Sequence, residues 1–167
     1  MFEIWASVKE YPNYEVSNLG NVRRFDTGQL IRPFTLPDGS LGIKLSKEGR
    51  QYQLLVRRLV AEAFVLPDNR FCDSVLHRDG DKMNCFRENL VWRPRWFCWK
   101  YARQFVGPVP HGWTDYAVRN RTTGQVFTNI MEASYVDATL CEEVYRSVIE
   151  GRNAFPNYAY EFMEAGM

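Results

Sequence analysis

The sequence predicts an α+β fold: an antiparallel sheet module first, a strand–turn–strand–helix unit second, and a small unit of a hairpin and two helices last. Three observations carry this. Short alternating runs separated by Gly, Pro and Asp turns fill residues 5–56. One amphipathic stretch, Val56–Phe64, repeats its apolar residues at helical spacing. A plain linker signal, Gly107-Pro108-Val109-Pro110-His111-Gly112, then sets off a hairpin followed by two helical segments.

Composition bounds the function. With 167 residues, 46% hydrophobic and 25% charged, the chain has the make-up of a soluble globular protein able to bury a core. No apolar run approaches the ~18 residues a bilayer-spanning helix needs. The start MFEIWASVKEY lacks the charged and apolar regions of a signal peptide, so a cytoplasmic location, that of a host cell, is expected. The net charge of +1 hides an asymmetry. Residues 1–129 hold 19 Lys and Arg against 13 Asp and Glu, whereas residues 130–167 hold 2 against 7. A basic body suits a polyanion and an acidic end suits something else, with ordinary solvated charge as the competing reading.

Taken in order, residues 3–24 place Trp5, Tyr11, Pro12, Tyr14, Val16, Ser17, Asn18, Gly20, Val22 and Arg23 at fixed offsets. Tyr14-Glu15-Val16 is a short strand, Ser17–Gly20 a turn, and Asn21-Val22-Arg23 the returning strand. Thr27 to Val56 reads as a meander, with turns at Thr27-Gly28, Pro37–Ser40 and Lys47–Gly49. From 21 to 58 there are eight basic residues, Arg23, Arg24, Arg32 and Lys44 among them, and three acids. A twisted sheet with one basic face can lie in a major groove and contact phosphates; a solvated outer face is the alternative. Val56–Phe64 turns Val56, Leu59, Val60, Ala63 and Phe64 to one side.

The chain is organised around Leu76–Trp92, LHRDGDKMNCFRENLVW. Val75-Leu76-His77 ends a strand, and Asp79-Gly80-Asp81 is a turn, because Gly supplies positive φ and Asp bonds its own backbone. Phe86–Leu90 opens either a helix or a second strand, and the closing apolar run ends at Trp92. Arg93–Gln104 follows with four cations, Arg93, Arg95, Lys100 and Arg103, and no acid. They are placed to clamp phosphates, while Trp96, Phe97, Trp99 and Tyr101 among them are mostly core residues. His111, in the linker, is expected to be exposed and inert. Tyr116–Phe127 reads as a hairpin, Ile130–Val136 and Leu140–Ile149 as helices, and Tyr158–Phe162 as a returning strand.

The landmarks His77, Asp79, Gly80, Asp81, Lys82, Asn84, Asn89, Leu90 and Trp92 together resemble the HNH nuclease motif of phage and intron homing endonucleases. Residues 3–24 resemble the N-terminal module that accompanies it, and Val56–Phe64 resembles that family's V-H-R-L-V-A-x-A-F helix, with Arg57 in place of the His. Thr123, Gly124, Val126, Phe127, Glu132, Ala133, Val144, Ile149, Gly151, Tyr158 and Tyr160 resemble its C-terminal helix-turn-helix module. The resemblance implies a ββα-metal fold with four parts: 1–58 a DNA-binding sheet module, 59–106 the HNH-like unit, 107–115 a linker, and 116–167 the C-terminal module.

It also implies that His77 activates water, that Asn84 braces the loop, and that Gly80, Asn89 and Trp92 are structural landmarks. A divalent cation, Mg²⁺ or Mn²⁺, would stabilise the scissile phosphate and leaving oxygen. Two departures qualify this. Leu76 stands where the family has an Asp or Asn ligand, and Cys98 where it has Asn or His, a soft thiol against a hard cation. Asp79 and Asp81 are the substitute ligands at hand, although Asp79 more often stabilises the turn itself. The expected partner is double-stranded DNA. The last helix carries Glu142, Glu143 and Glu150 against Arg146, a poor polyanion surface that points to a protein partner or a contact within or between chains. Two classes stay open: a binding protein with an impaired or lost nuclease centre, and an active endonuclease or nickase with a non-standard metal site. Cys72, Cys85, Cys98 and Cys141 form no CxxC pair. A zinc set of Cys72, His77, Cys85 and Cys98 has wider spacing than a structural knuckle, and reduced, mostly buried thiols are preferred.

Overall fold

The computed structural model describes residues 2–68 and 70–163. The architecture is mixed α+β, with antiparallel sheets and four helices, as the sequence predicts. By compactness the chain divides into two units, Met1–Cys98 and Trp99–Met167, the division falling ahead of the 107–115 stretch.

The first unit opens with strands β1 (Trp5–Val8), β2 (Tyr11–Ser17) and β3 (Val22–Arg24), paired in that order. Alternation explains their sides. Tyr14, Val16 and Val22 are buried, while Glu15 and Arg23 face each other across the ladder and form an ion pair at 2.7 Å. Strands β4 (Phe34–Thr35), β5 (Leu41–Lys47) and β6 (Arg50–Leu55) form the second sheet, β5 and β6 joined by the two-residue turn Glu48-Gly49. Ile43 and Leu45 point into the core and Lys44 and Ser46 away from it. The two sheets are tied where the Tyr14 hydroxyl accepts from the Ser46 backbone N–H at 3.1 Å.

Helix α1 (Val56–Phe64) follows β6 without a break and buries Val56, Leu59, Val60 and Ala61. It packs on strands of both sheets and on the hairpin of β7 (Ser74–His77) and β8 (Leu90–Arg93). That hairpin pairs Leu76 with Val91 and His77 with Leu90. The stretch expected to open a helix or a strand does both: a short 3₁₀ turn at Arg87–Asn89 leads into β8. Trp92 donates its indole N–H to the Val65 carbonyl at 2.8 Å, fixing the end of α1 to β8. Gly20 lies so close to the hairpin loop that a Cβ there would meet the Cys85 Cβ at 3.1 Å, and its φ of +88° is a left-handed conformation. Helix α2 (Arg95–Arg103) closes the unit, and the boundary at Cys98 falls inside it.

In the second unit, β9 (Val118–Asn120) is central, flanked by β10 (Val126–Phe127) and β11 (Tyr160–Phe162). Helix α3 (Ile130–Asp137) starts at a capping box. Asn129 accepts from the Glu132 backbone N–H at 2.9 Å, and the Glu132 carboxylate reaches back to the Thr128 N–H at 2.6 Å. A three-residue turn leads to α4 (Cys141–Glu150), which stops at Gly151. Under these helices Asp137, nearly buried, accepts from the Asn120 amide and the Tyr160 hydroxyl, each at 2.8 Å. Among the described residues no helix is long and apolar enough to cross a membrane.

Candidate functional site

The loop joining β7 to β8 is a cross-braced ring. Gly80, at φ +77°, turns the chain just after His77. Asp79 is the hub: one carboxylate oxygen accepts from the Asn84 amide at 2.7 Å, the other from the Asn89 amide and the Asp81 backbone N–H, both at 2.9 Å. Asn89 also accepts from the Asp79 backbone N–H at 3.1 Å and donates to the Asn84 carbonyl at 2.8 Å. Asp81 accepts from the Met83 N–H at 2.9 Å. Asn84 and Asn89 therefore build the loop, and Asp79 and Asp81 spend carboxylate oxygens on it.

His77 sits at the end of β7, 6% exposed, with Nε2 at 3.8 Å from the Cys85 thiol. Burial, reinforced by the Arg57 charge, lowers its pKa to about 4, so the imidazole is neutral at pH 7. Burial likewise raises the thiols of Cys85 and Cys98 to about 11, so both are protonated near neutrality. Cys98 directs its thiol to the Arg93 carbonyl at 3.8 Å. Leu76, beside His77, is buried and offers no lone pair. Among the described residues no three His, Cys, Asp or Glu side chains are grouped to hold a metal ion. That grouping does not support the zinc alternative, and none of the four cysteines forms a disulfide.

The cations proposed to meet phosphate are placed unequally. In the first unit Arg24, Arg32, Lys44 and Arg95 are exposed. Arg23 is half-buried, ion-paired with Glu15 and stacked over the Trp5 ring at 4.0 Å. Arg93 is a correction. Its side chain is 4% exposed and bonds the Asp68 carboxylate at 2.5 Å and the Trp92 carbonyl at 3.0 Å, so it braces β8 and faces no solvent. In the second unit Lys100 and Arg103 are exposed, Arg103 lying 4.5 Å over the Trp99 ring. The aromatics of α2 also divide. Phe97 and Tyr101 are buried, as expected, but Trp96 and Trp99 are 54% and 61% exposed. His111 is exposed.

Sequence reasoning missed Arg57 as a member of the site. It lies on the first turn of α1, its Nη1 donates to the Ser40 hydroxyl at 2.8 Å, and its charge acts on His77, Cys85 and Cys98 alike. The available signal was its place in the helix pattern, where Arg replaces a His.

The chain is similar to several known proteins. The NUMOD4 motif matches residues 3–46. An uncharacterized HNH endonuclease of Acanthamoeba polyphaga mimivirus is 35% identical over 88 residues, covering 53% of this chain and 26% of the relative. DNA endonuclease I-HmuI of Bacillus phage SP01 is 34% identical over 95 residues, 53% of this chain and 51% of the relative. The H-N-H endonuclease F-TflI of Escherichia phage T5 is 27% identical over 116 residues, 68% of this chain and 57% of the relative. The chain spans less than two thirds of each relative's length. A solved structure, described as DNA binding and cleavage by the HNH homing endonuclease I-HmuI, superposes with a TM-score of 0.53 at 22% identity, covering 98% of this chain and 99% of that one. The chain thus carries the NUMOD4 motif and is similar to the HNH homing endonucleases, one of which shares its α+β fold.

Proposed function

We propose that the chain is an HNH homing-endonuclease-like protein that binds double-stranded DNA and whose metal-dependent nuclease centre is impaired or lost. One observation carries the second half. Beside His77, where the resemblance calls for an oxygen ligand, stands the buried, apolar Leu76. The rest of the donor set agrees: Cys98 is a protonated thiol, and the Asp79 carboxylate is committed to Asn84 and Asn89. A hard divalent cation wants oxygen ligands, and these residues do not fit one. DNA binding is supported by the exposed Arg24 and Lys44 on strands of the first unit and by the exposed Arg32 between β3 and β4, where phosphate contacts supply salt-dependent affinity.

The second reading, an active nickase with His77 as general base and non-standard metal ligands, is favoured by one fact. His77 ends β7, where the resemblance puts the water-activating residue, and its imidazole is neutral at pH 7, although a pKa lowered to about 4 makes it a weak base. Nicking of supercoiled plasmid with Mg²⁺ or Mn²⁺, wild type against His77→Ala, alongside a salt-dependent gel shift, separates the two. Salt-sensitive binding without nicking is the expected result. Nicking that disappears in His77→Ala selects the enzyme, and the absence of both removes DNA from the function.

A further inference from the structure

Between Glu88 and Asp115 the chain carries four cations and no acid. Arg93 and Arg95 belong to the first unit, whereas Lys100 and Arg103 stand exposed on the part of α2 that belongs to the second. That part is firmly seated. Tyr101 is 1% exposed and donates its hydroxyl to the Ser134 carbonyl at 3.4 Å. The Gln104 amide donates to the Ser134 hydroxyl at 3.0 Å and accepts from the Cys141 backbone N–H at 3.1 Å. With Tyr101 and Gln104 turned onto α3 and α4, helical spacing turns Trp99, Lys100 and Arg103 outward.

Trp99 is the anomaly among them, a large aromatic side chain 61% exposed on an ordered helix. Arg103, one turn on, holds its guanidinium 4.5 Å from the indole centre. Among the described residues no carboxylate pairs with Arg103. The mixture of groups selects the ligand. Cations without an acid match a polyanion. A helix lying on a membrane sets its aromatic and basic residues on opposite faces, but here they share one face and are stacked together. In a duplex each base is covered by its neighbours, so an exposed indole finds a base to stack on only where the strand is unpaired.

We propose that Trp99, with Arg103 stacked on it and Lys100 beside it, is a binding site for an unpaired nucleic-acid strand. A base lies on the open side of the indole, and the flanking phosphates meet the two cations. The proposal goes beyond the duplex reading above, which rests on cations of the first unit.

The test is fluorescence anisotropy of labelled oligothymidylate, its uridylate counterpart and a duplex of equal length, titrated with the full chain at several KCl concentrations. The single strands are expected to bind, and the tighter of the two names the strand held. Trp99→Ala is expected to weaken single-strand binding about tenfold, the scale of one lost base stack, with the salt slope and the duplex affinity unchanged. Trp99→Phe recovers most of that loss. Lys100→Gln with Arg103→Gln lowers the single-strand salt slope by roughly 0.7 for each phosphate contact removed. Undiminished single-strand affinity in a folded Trp99→Ala overturns the proposal. Duplex binding without single-strand binding overturns it too and leaves the duplex reading standing. Single-strand binding lost in Trp99→Ala upholds it even where no duplex is bound. Should Trp99→Ala fail to fold by circular dichroism, photocrosslinking of a bromouracil-bearing strand to the wild type decides. A crosslink at Trp99 upholds the site, and crosslinks only at other residues sink it.

Discussion

Asn89 and Asp79 hold each other twice across the β7–β8 loop. The Asn89 amide donates to the Asp79 carboxylate at 2.9 Å, and its carbonyl oxygen accepts from the Asp79 backbone N–H at 3.1 Å. The double clasp closes a loop of eleven residues, Asp79 to Asn89, by side chain rather than by ladder, and His77 stands two residues before it. Asn89→Ala, which removes both bonds and the one to the Asn84 carbonyl, is expected to cost about 1–2 kcal/mol of stability. Asp81→Ala, which removes one turn bond, is expected to cost less. Urea unfolding of the two variants checks the order.

His77 makes stability sensitive to acid. Its folded pKa of about 4 lies below the ordinary histidine value of 6.5, so between those values the unfolded chain binds the proton that the folded chain refuses. The neutral imidazole's contribution is complete above pH 6.5 and is lost as pH falls toward 4. Denaturation midpoints across this window are expected to fall more steeply for wild type than for His77→Gln. Parallel curves would remove His77 as the cause.

Restoring ligands tests how much of the centre has changed. Leu76→Asp with Cys98→Asn supplies two hard donors, but the Arg57 charge, which acts on both His77 and Cys98, remains. The double variant is expected to gain little Mn²⁺ affinity or nicking. Adding Arg57→His, the residue of the resembled helix pattern, is expected to raise both by about tenfold or more. A full gain from the double variant alone would show that only the ligands were missing.

In the second unit, Tyr160→Phe strips one of the two donors from the Asp137 carboxylate. Burial raises the Tyr160 pKa, and the Asp137 bond adds to the rise, so the hydroxyl stays a donor through the alkaline range. The variant is expected to lose about 1–3 kcal/mol, the cost of leaving a nearly buried carboxylate under-satisfied. Hydrogen exchange confined to residues 118–162 would locate the loss.

Much of the fold was legible because local signals agreed with it. The α1 stripe gave Val56–Phe64 to the residue, and Gly80 and the Asp pair marked their turn. What was not legible depends on partners far along the chain. Arg93 reads as a solvent cation until Asp68, 25 residues earlier, is seen to bury it. Trp96 and Trp99 share a run with Phe97 and Tyr101, and nothing in the run says which pair faces out. Arg57 reads as one more helix cation until Ser40, from the β4–β5 turn, is seen to hold it.

The approach of Gly20 to Cys85 bears on how such chains can be recombined. The N-terminal motif and the His77 loop read as interchangeable cassettes, yet a Cβ at position 20 would lie 3.1 Å from the Cys85 Cβ. A chimera that takes residues 1–58 from one relative and the hairpin from another must keep a glycine at position 20, because the close approach is to a Cβ that any residue but glycine carries at 85. A graft that places any other residue at position 20 is strained twice, by the left-handed backbone and by the neighbouring hairpin.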